Sequence, residues 1–371
     1  MSVKDLEIGP YLAVMVKKGG EDMYLHTGAR ILFKGPGGFA WMGDELEPGH
    51  VERIFRSLAN DRKIAEFEAS GEVDFGVSIA KVGRFRANAF RQRGEVSLVF
   101  RHVHSEIPTI ESLNLPQILR DLVMQKNGLV LIVGATGSGK STTLAAMIDH
   151  RNENAAGHIL TLEEPIEYLH HHKKSVVAQR EIGVDTESFS TGMRSAMREA
   201  PNVILVGEVR DTESMEYALK FANTGHLCLS TLHSNNAISA IERMISFFPV
   251  ETYSQELLRI ADNLRAIVCQ RLVPTVDGKK TAATEVLINT PRIKDLIERH
   301  EFGDIHDAVK AGHSYGMHTF DQSLIELFEQ GRISAETAVE YADSRNNVSL
   351  HIRMNRNQDL GGLGDVELER I

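Results

Sequence analysis

Cysteine is nearly absent: Cys228 and Cys269 are the two in 371 residues. Two thiols cannot make a disulfide framework, and no CxxC pair is available for a structural zinc. This usage fits a reducing compartment. An excess of positive charge is missing too. The chain holds 41 Lys and Arg against 51 Asp and Glu, a net charge of −10, so the molecule as a whole lacks the electrostatic footprint of a nucleic-acid binder. No run approaches the roughly 18 to 20 apolar residues that a membrane span needs. Residues 1–7 show no basic segment leading into an apolar core, so no signal peptide is expected. Internal repeats and low-complexity blocks are also lacking. The expected location is cytoplasmic, with any membrane contact made through partners.

What is present has globular proportions, 42% apolar and 25% charged, which excludes wholesale disorder. The length suggests two domains and a tail. Residues 5–18 read as a short helix that stops at Gly19 and Gly20. Val51, Ile54, Phe55 and Leu58 share one helical face. Residues 73–80, 85–90 and 96–103 read as strands, with Gly83 and Gly94 at the turns. Pro108 and Pro116 punctuate a connecting stretch, residues 107–119. Beyond Gly128 the pattern changes. Apolar runs at 129–133, 159–162, 203–206 and 227–229 alternate with amphipathic helices, the signature of a largely parallel sheet covered on both faces. After about Pro291 only helices are expected. The expected divisions are 1–104 for an N-terminal α+β domain and 105–120 for a linker. An α/β core follows at 121–290, then a helical region at 291–352 and a flexible tail at 353–371.

Gly134-Ala135-Thr136-Gly137-Ser138-Gly139-Lys140-Ser141 matches GxxxxGK[ST] between a strand and a helix, the context that gives the motif its meaning. Glycines let backbone N–H groups turn inward around a phosphate, and a helix N-terminus adds partial positive charge. Lys140 should reach the β and γ oxygens of a bound phosphate chain, Ser141 should ligate Mg²⁺, and Thr142 should lie near the α-phosphate. Glu208 follows the apolar run 203–206 and is the leading candidate to lie beside Mg²⁺ and orient the attacking water. Glu163 and Glu164 end another strand. Either could position Mg²⁺ or act as base, but adjacent residues point to opposite faces, so Glu163 is preferred. His233 closes a third strand, where an imidazole could sense the γ-phosphate; a packed loop histidine is the alternative. His226 reads as structural. His170, His171 and His172 diverge as consecutive residues and have no acid or Cys ligand beside them, so a solvated stretch is expected rather than a metal site. Cys228 and Cys269 read as small core residues.

These motifs together resemble the type IV pilus retraction ATPases, PilT and PilU, within the GspE/PulE secretion ATPase superfamily. The resemblance rests on the Walker A stretch 134–142, an acid-rich box at 161–166, a Walker B signature at 197–211 and a histidine box at 224–237. It spans most of the chain, and the tract 316–324 fits the retraction branch. Asn202 and Glu164 stand where the family usually has Asp, and residues 291–297 depart from the PilT pattern, so the likeness is closer to PilU. The resemblance implies an α/β fold: an N-terminal PAS-like α+β domain followed by a RecA-like P-loop ATPase domain with a helical C-terminal region. It implies a homohexamer whose ATP sites are completed by basic N-terminal residues, which casts Arg86 and Arg101 as phosphate ligands, with Arg243 as a third. The alternative for each is a solvated arginine. The implied reaction is Mg²⁺-dependent ATP hydrolysis driving pilus retraction and twitching motility at an inner-membrane platform protein. Two alternatives stand beside it. One is a weakly hydrolysing accessory subunit of a paralogous retraction ATPase; the other is a pilus assembly or type II secretion motor, whose usual tetracysteine module two cysteines cannot supply.

Overall fold

A computed structural model describes residues 7–103 and 106–360, without the side chains of 355–360. It divides into two compact units. The first comprises the chain to Ile107 together with residues 164–170 and 181–187, and the second holds the rest.

The first unit begins with α1 (Ile8–Lys17), which buries Ile8, Leu12 and Met15 on one stripe. Three short strands follow, β1 (Asp22–Leu25), β2 (Ile31–Gly35) and β3 (Gly38–Met42), then α2 (His50–Leu58) and α3 (Asp61–Ser70). The Asn60 side chain caps α3 by accepting from the Lys63 N–H, and Gly71 ends the helix in the left-handed region. Strands β4 (Glu72–Ile79), β5 (Gly83–Gln92) and β6 (Glu95–Val103) complete a six-stranded sheet in the order β3-β2-β1-β6-β5-β4. Every neighbouring pair is antiparallel. Along β5, Phe85, Ala87 and Ala89 point into the core while Arg84, Arg86 and Asn88 alternate outward. Phe55 of α2 packs against Phe67 of α3 with ring centroids 4.7 Å apart. The segments 164–170 and 181–187, which sequence order assigned to the core domain, contribute Glu181. Its carboxylate accepts from Arg84 at 2.9 Å with both groups largely buried.

The second unit opens with Ile110 and Leu115, both buried, so much of the expected linker is packed. Helix α4 (Ile118–Val123) leads to β7 (Gly128–Val133), α5 (Lys140–Asn154), β8 (Gly157–Glu163), β9 (Ser175–Glu181), α6 (Phe189–Ala196), β10 (Val203–Val206), α7 (Thr212–Asn223), β11 (Leu227–Leu232), α8 (Ala237–Ser246) and α9 (Tyr253–Asn263). The last two strands, β12 (Leu264–Pro274) and β13 (Lys280–Ile288), were not anticipated. The sheet order is β13-β12-β7-β11-β10-β8-β9. Strands β12, β7, β11, β10 and β8 run parallel, and β13 is antiparallel to β12. Leu129, Leu131 and Val133 enter one core cluster and Val130 and Ile132 another, so β7 is covered on both faces. Cys228 and Cys269 are fully buried in β11 and β12.

Helices α10 (Pro291–Glu298), α11 (Ile305–Ala311), α12 (Phe320–Glu329), α13 (Ala335–Glu340) and α14 (Arg345–Leu360) follow. An isolated bridge between Val286 and His318 interrupts the expected all-helical pattern. Helix α14 runs through residues 353–360, where a tail was expected, and residues 361–371 lie outside the described residues. Among the described residues no helix is long and apolar enough to cross a membrane.

Candidate active site

In the second unit the candidate groups gather along one edge of the parallel sheet. Leu232 of β11 pairs with Val133 of β7, Val206 of β10 with Ser230 of β11, and Leu162 of β8 with Val206. Gly134, His233, Gly207-Glu208 and Glu163 therefore stand at neighbouring carboxyl ends, on strands about 4.8 Å apart. Such a row is where ligands bind in open α/β sheets.

The loop after β7 is shaped by its glycines. Gly134, Gly137 and Gly139 have φ of 156°, 78° and 90°. A Cβ on Gly134 would lie 2.5 Å from both Ser138 Oγ and the Gln270 carbonyl oxygen, and one on Gly139 would lie 2.8 Å from Gln270 Nε2. No side chain fits there, so the backbone can close around an anion. The loop delivers the chain into α5, a 15-residue helix starting at Lys140, whose N-terminus adds its dipole. Lys140 Nζ donates to the carbonyls of Gly134 at 2.8 Å and Ala135 at 3.0 Å. Ser138 Oγ is buried with no hydrogen-bond partner among the described residues. A pocket of glycine backbone, an ammonium and an unsatisfied hydroxyl suits a phosphate chain.

Sequence reasoning missed Gln270. This buried β12 side chain accepts from Thr143 Oγ1 at 2.7 Å and donates from Nε2 to the Ser138 carbonyl at 2.8 Å. It ties the first turn of α5 to the phosphate loop, and both ends of its amide are used.

Glu208 is held by its neighbour. The Gly207 N–H donates to the Leu162 carbonyl at 2.8 Å, and Thr231 Oγ1 donates to the Gly207 carbonyl at 2.7 Å. Gly207 is thus pinned to both flanking strands. Glu208 Oε1 lies 3.3 Å from His233 Nε2, with 33% of the acid side chain and 47% of the imidazole exposed. Glu163 Oε1 accepts from Thr161 Oγ1 at 2.6 Å and from Gln179 Nε2 at 3.1 Å. Glu164 is exposed, and Glu163 is half-buried.

Among the arginines, Arg86 and Arg101 belong to the first unit, where they face each other across β5 and β6. Arg86 pairs with Asp74 at 3.2 Å and Arg101 with the buried Asp22 at 2.8 Å. The hydrogen bond that Arg101 donates to Asp22 is the main reason that the Arg101 pKa is raised. Arg243 lies near the end of α8, its guanidinium 4.8 Å from the Phe247 ring centroid, about two turns past the His233 loop.

His226 is held by its surroundings: its Nδ1 lies 3.1 Å from Thr224 Oγ1, and its ring meets Phe221 edge-on. No cluster of three His, Cys, Asp or Glu suited to a metal occurs among the described residues. Ser141 with Glu208 supplies hard oxygen donors, the set that Mg²⁺ takes alongside phosphates.

A model of the type II/IV secretion system protein family matches residues 75–351. This chain belongs to that family. PilU, a type IV pilus ATPase of Pseudomonas aeruginosa, is 44% identical over 97% of this chain and 95% of its own length. The retraction ATPase PilT of the same organism is 39% identical over 91% of this chain and 98% of its own. A crystal structure of the retraction motor PilT with bound ADP superposes with a TM-score of 0.84 at 38% identity, covering 92% of this chain and 98% of that one. The mixed α/β fold with a RecA-like second unit is therefore shared with these relatives, and PilU and PilT are pilus ATPases.

Proposed function

We propose that the protein is a homohexameric motor, acting in the cytoplasm against an inner-membrane platform protein, that hydrolyses ATP with Mg²⁺ to retract type IV pili. The observation that carries this reading is the row of strand ends. A phosphate cradle, a carboxylate in contact with an imidazole and a second acid stand side by side in a chain 44% identical to PilU.

On this reading Lys140 exchanges the Gly134 and Ala135 carbonyls for β and γ oxygens, and backbone N–H groups of residues 134–142 close around the phosphates. Ser141 and Glu208 would hold Mg²⁺, which when bound supplies charge neutralisation at the phosphates. Glu208 orients the attacking water and receives its proton. Glu163, fixed by Thr161 and Gln179, lends further negative charge to that end of the row. His233, touching Glu208, reports whether the γ-phosphate is present. Arg86, Arg101 and Arg243 serve from neighbouring protomers, because a guanidinium stays ionised and forks onto phosphate oxygens. Nucleotide binding draws the parts of a protomer together, product release lets them part, and the ring converts this into work.

A second reading keeps the nucleotide site but assigns the chain to an accessory role beside a paralogous retraction ATPase. The higher identity to PilU than to PilT favours weighing it. Steady-state ATPase assays of the purified protein, alone and with a PilT-type partner, separate the two. Robust turnover alone supports the motor; turnover only with the partner supports the accessory. Lys140→Ala should weaken ATP binding by more than 100-fold, as seen by equilibrium binding of a fluorescent ATP analogue. Unchanged binding would remove the basis of both readings.

A further inference from the structure

Two consecutive residues of β12 serve opposite faces of the sheet. Gln270 faces the phosphate loop, as described. Arg271 faces the other way, toward the loop that follows His233. Its Nη2 donates to the Asn235 carbonyl at 3.3 Å and its Nη1 to the Tyr341 carbonyl at 3.1 Å. The same Nη1 lies 2.7 Å from the Asp343 carboxylate. The guanidinium carbon sits 3.8 Å from the Phe320 ring centroid, close enough for a strong cation–π contact. One fork thus joins three separate pieces of chain: the loop after β11, the turn between α13 and α14, and the start of α12.

The connections continue on both sides. Asn236 caps α8 through a capping box with Ser239, and the Ala237 N–H donates to the buried Glu285 at 2.8 Å. Glu285 is the β13 residue opposite Cys269 in the ladder, so it lies on the same face as Arg271. The loop from His233 to Ala237 is therefore fixed by two charged groups on adjacent strands. Beyond Asp343, Asp321 of α12 accepts from the Asp343 N–H at 2.8 Å and the Ser344 N–H at 3.1 Å. A shift of the His233 loop has a short, hydrogen-bonded route to the helical C-terminal region, and a shift there has the same route back.

We propose that Arg271 is a positioning residue for the His233 loop, holding the imidazole against Glu208 and linking that placement to the turn between α13 and α14. The inference rests on the reading of His233 given above. A fork suits the task because planar, pre-organised donors fix direction as well as distance. Small misplacements near a reacting group are costly in rate, so the loss should appear in turnover rather than in nucleotide affinity.

The test is a kinetic double-mutant cycle on the full chain, with nucleotide affinity measured in parallel by a fluorescent ADP analogue. Arg271→Met retains the stem over Phe320 and removes the fork. It should lower kcat about tenfold while the nucleotide Kd stays within twofold. Arg271→Lys, which can keep the Asp343 pair but not the fork, should fall between. In a His233→Ala background Arg271→Met should cost less than a further twofold, because both changes remove the same placement. Multiplying effects, or a Kd that rises in step with the fall in kcat, would overturn the proposal. Should Arg271→Met fail to fold, Asp343→Asn in the same cycle reads the same coupling. If His233→Ala alone turns over like the wild type, the reading of His233 fails and this inference falls with it. Loss of turnover in His233→Ala with independent effects at Arg271 sinks this inference alone.

Discussion

In the sheet of the first unit every second residue along the middle of β5 meets water; in the second unit no residue of β7 or β11 does. This difference decides where each sheet can carry chemistry. A one-sided antiparallel sheet has a wet face, and Arg86 and Asn88 stand on it, while Arg84 on the same side is covered with Glu181. The arginines on this side are answered by acids of neighbouring strands, Arg86 by Asp74 and Arg101 by Asp22. A parallel sheet buried on both faces has no such surface. Its polar groups are confined to the strand ends, and there the phosphate loop, Glu208, His233 and Glu163 are found. One sheet displays charge and the other concentrates it.

The sharpest way to break this contrast is at a strand end. Glu208→Gln should keep ATP binding within a few-fold and lower kcat by about 100-fold or more, the range for loss of a group acting on a proton in flight. Wild-type turnover in that variant would leave the row without its central member. Next in size are the arginines of the wet face. Arg86→Ala and Arg101→Ala should each reduce turnover of the assembled protein about tenfold or more; thermal stability should hardly move in Arg86→Ala, whose pair with Asp74 is exposed, and should fall in Arg101→Ala, which leaves the buried Asp22 carboxylate unpaired. Unchanged turnover in both would make the face a solvated one and nothing more.

A smaller effect is expected at Gln270. Replacement by Leu leaves the Ser138 carbonyl and Thr143 Oγ1 without their partner in a buried place, at a cost of about 1–3 kcal/mol. A lower Tm together with weaker ATP binding is the expected result; loss of stability with unaltered binding would show that the amide does not shape the loop. The smallest effect concerns pH. Burial, with His313 nearby, lowers the His318 pKa from 6.5 to about 4. The unfolded chain then binds a proton that the folded chain refuses, so this contribution is complete above pH 6.5 and is lost as pH falls toward 4. This contribution should fade across that window, and His318→Gln should flatten this part of the stability–pH curve. A curve of the same slope in the variant would assign the loss to other groups.

How much could be read from the chain follows the same contrast. Strands β7, β10 and β11 were evident as unbroken apolar runs, and the loop at 134–142 was evident because glycine, lysine and serine recur there at a fixed spacing. Strands β1, β2 and β3 are four or five residues long, too short for alternation to stand out. Strand β12 begins at Leu264, directly after α9 ends at Asn263, so no turn residue marks the change of period. Gln270 and Arg271 sit inside that hidden strand. Their meaning lies in the register that sets Cys269 beside Val133, which no local pattern carries. The acids at 163 and 208 were identifiable as strand-terminal groups, but the contact between Glu208 and His233 required the order of the strands. Asp22 and Asp74 went unremarked because they answer Arg101 and Arg86 from other strands. Among the arginines, Arg84 shows the limit of reading by type, since its partner Glu181 lies 97 positions away.

Neither cysteine reaches solvent, and burial pushes the Cys228 thiol up to about 12 and the Cys269 thiol upward as well. At neutral pH the thiolate fraction of Cys228 is on the order of 10⁻⁵, so alkylating reagents and mild oxidants should pass it by. To such chemistry the native fold presents a blank exterior. A single cysteine introduced on α14 or beside Trp41 could then take a dye without disturbing the natural pair, and any movement that nucleotide causes there could be followed through one label.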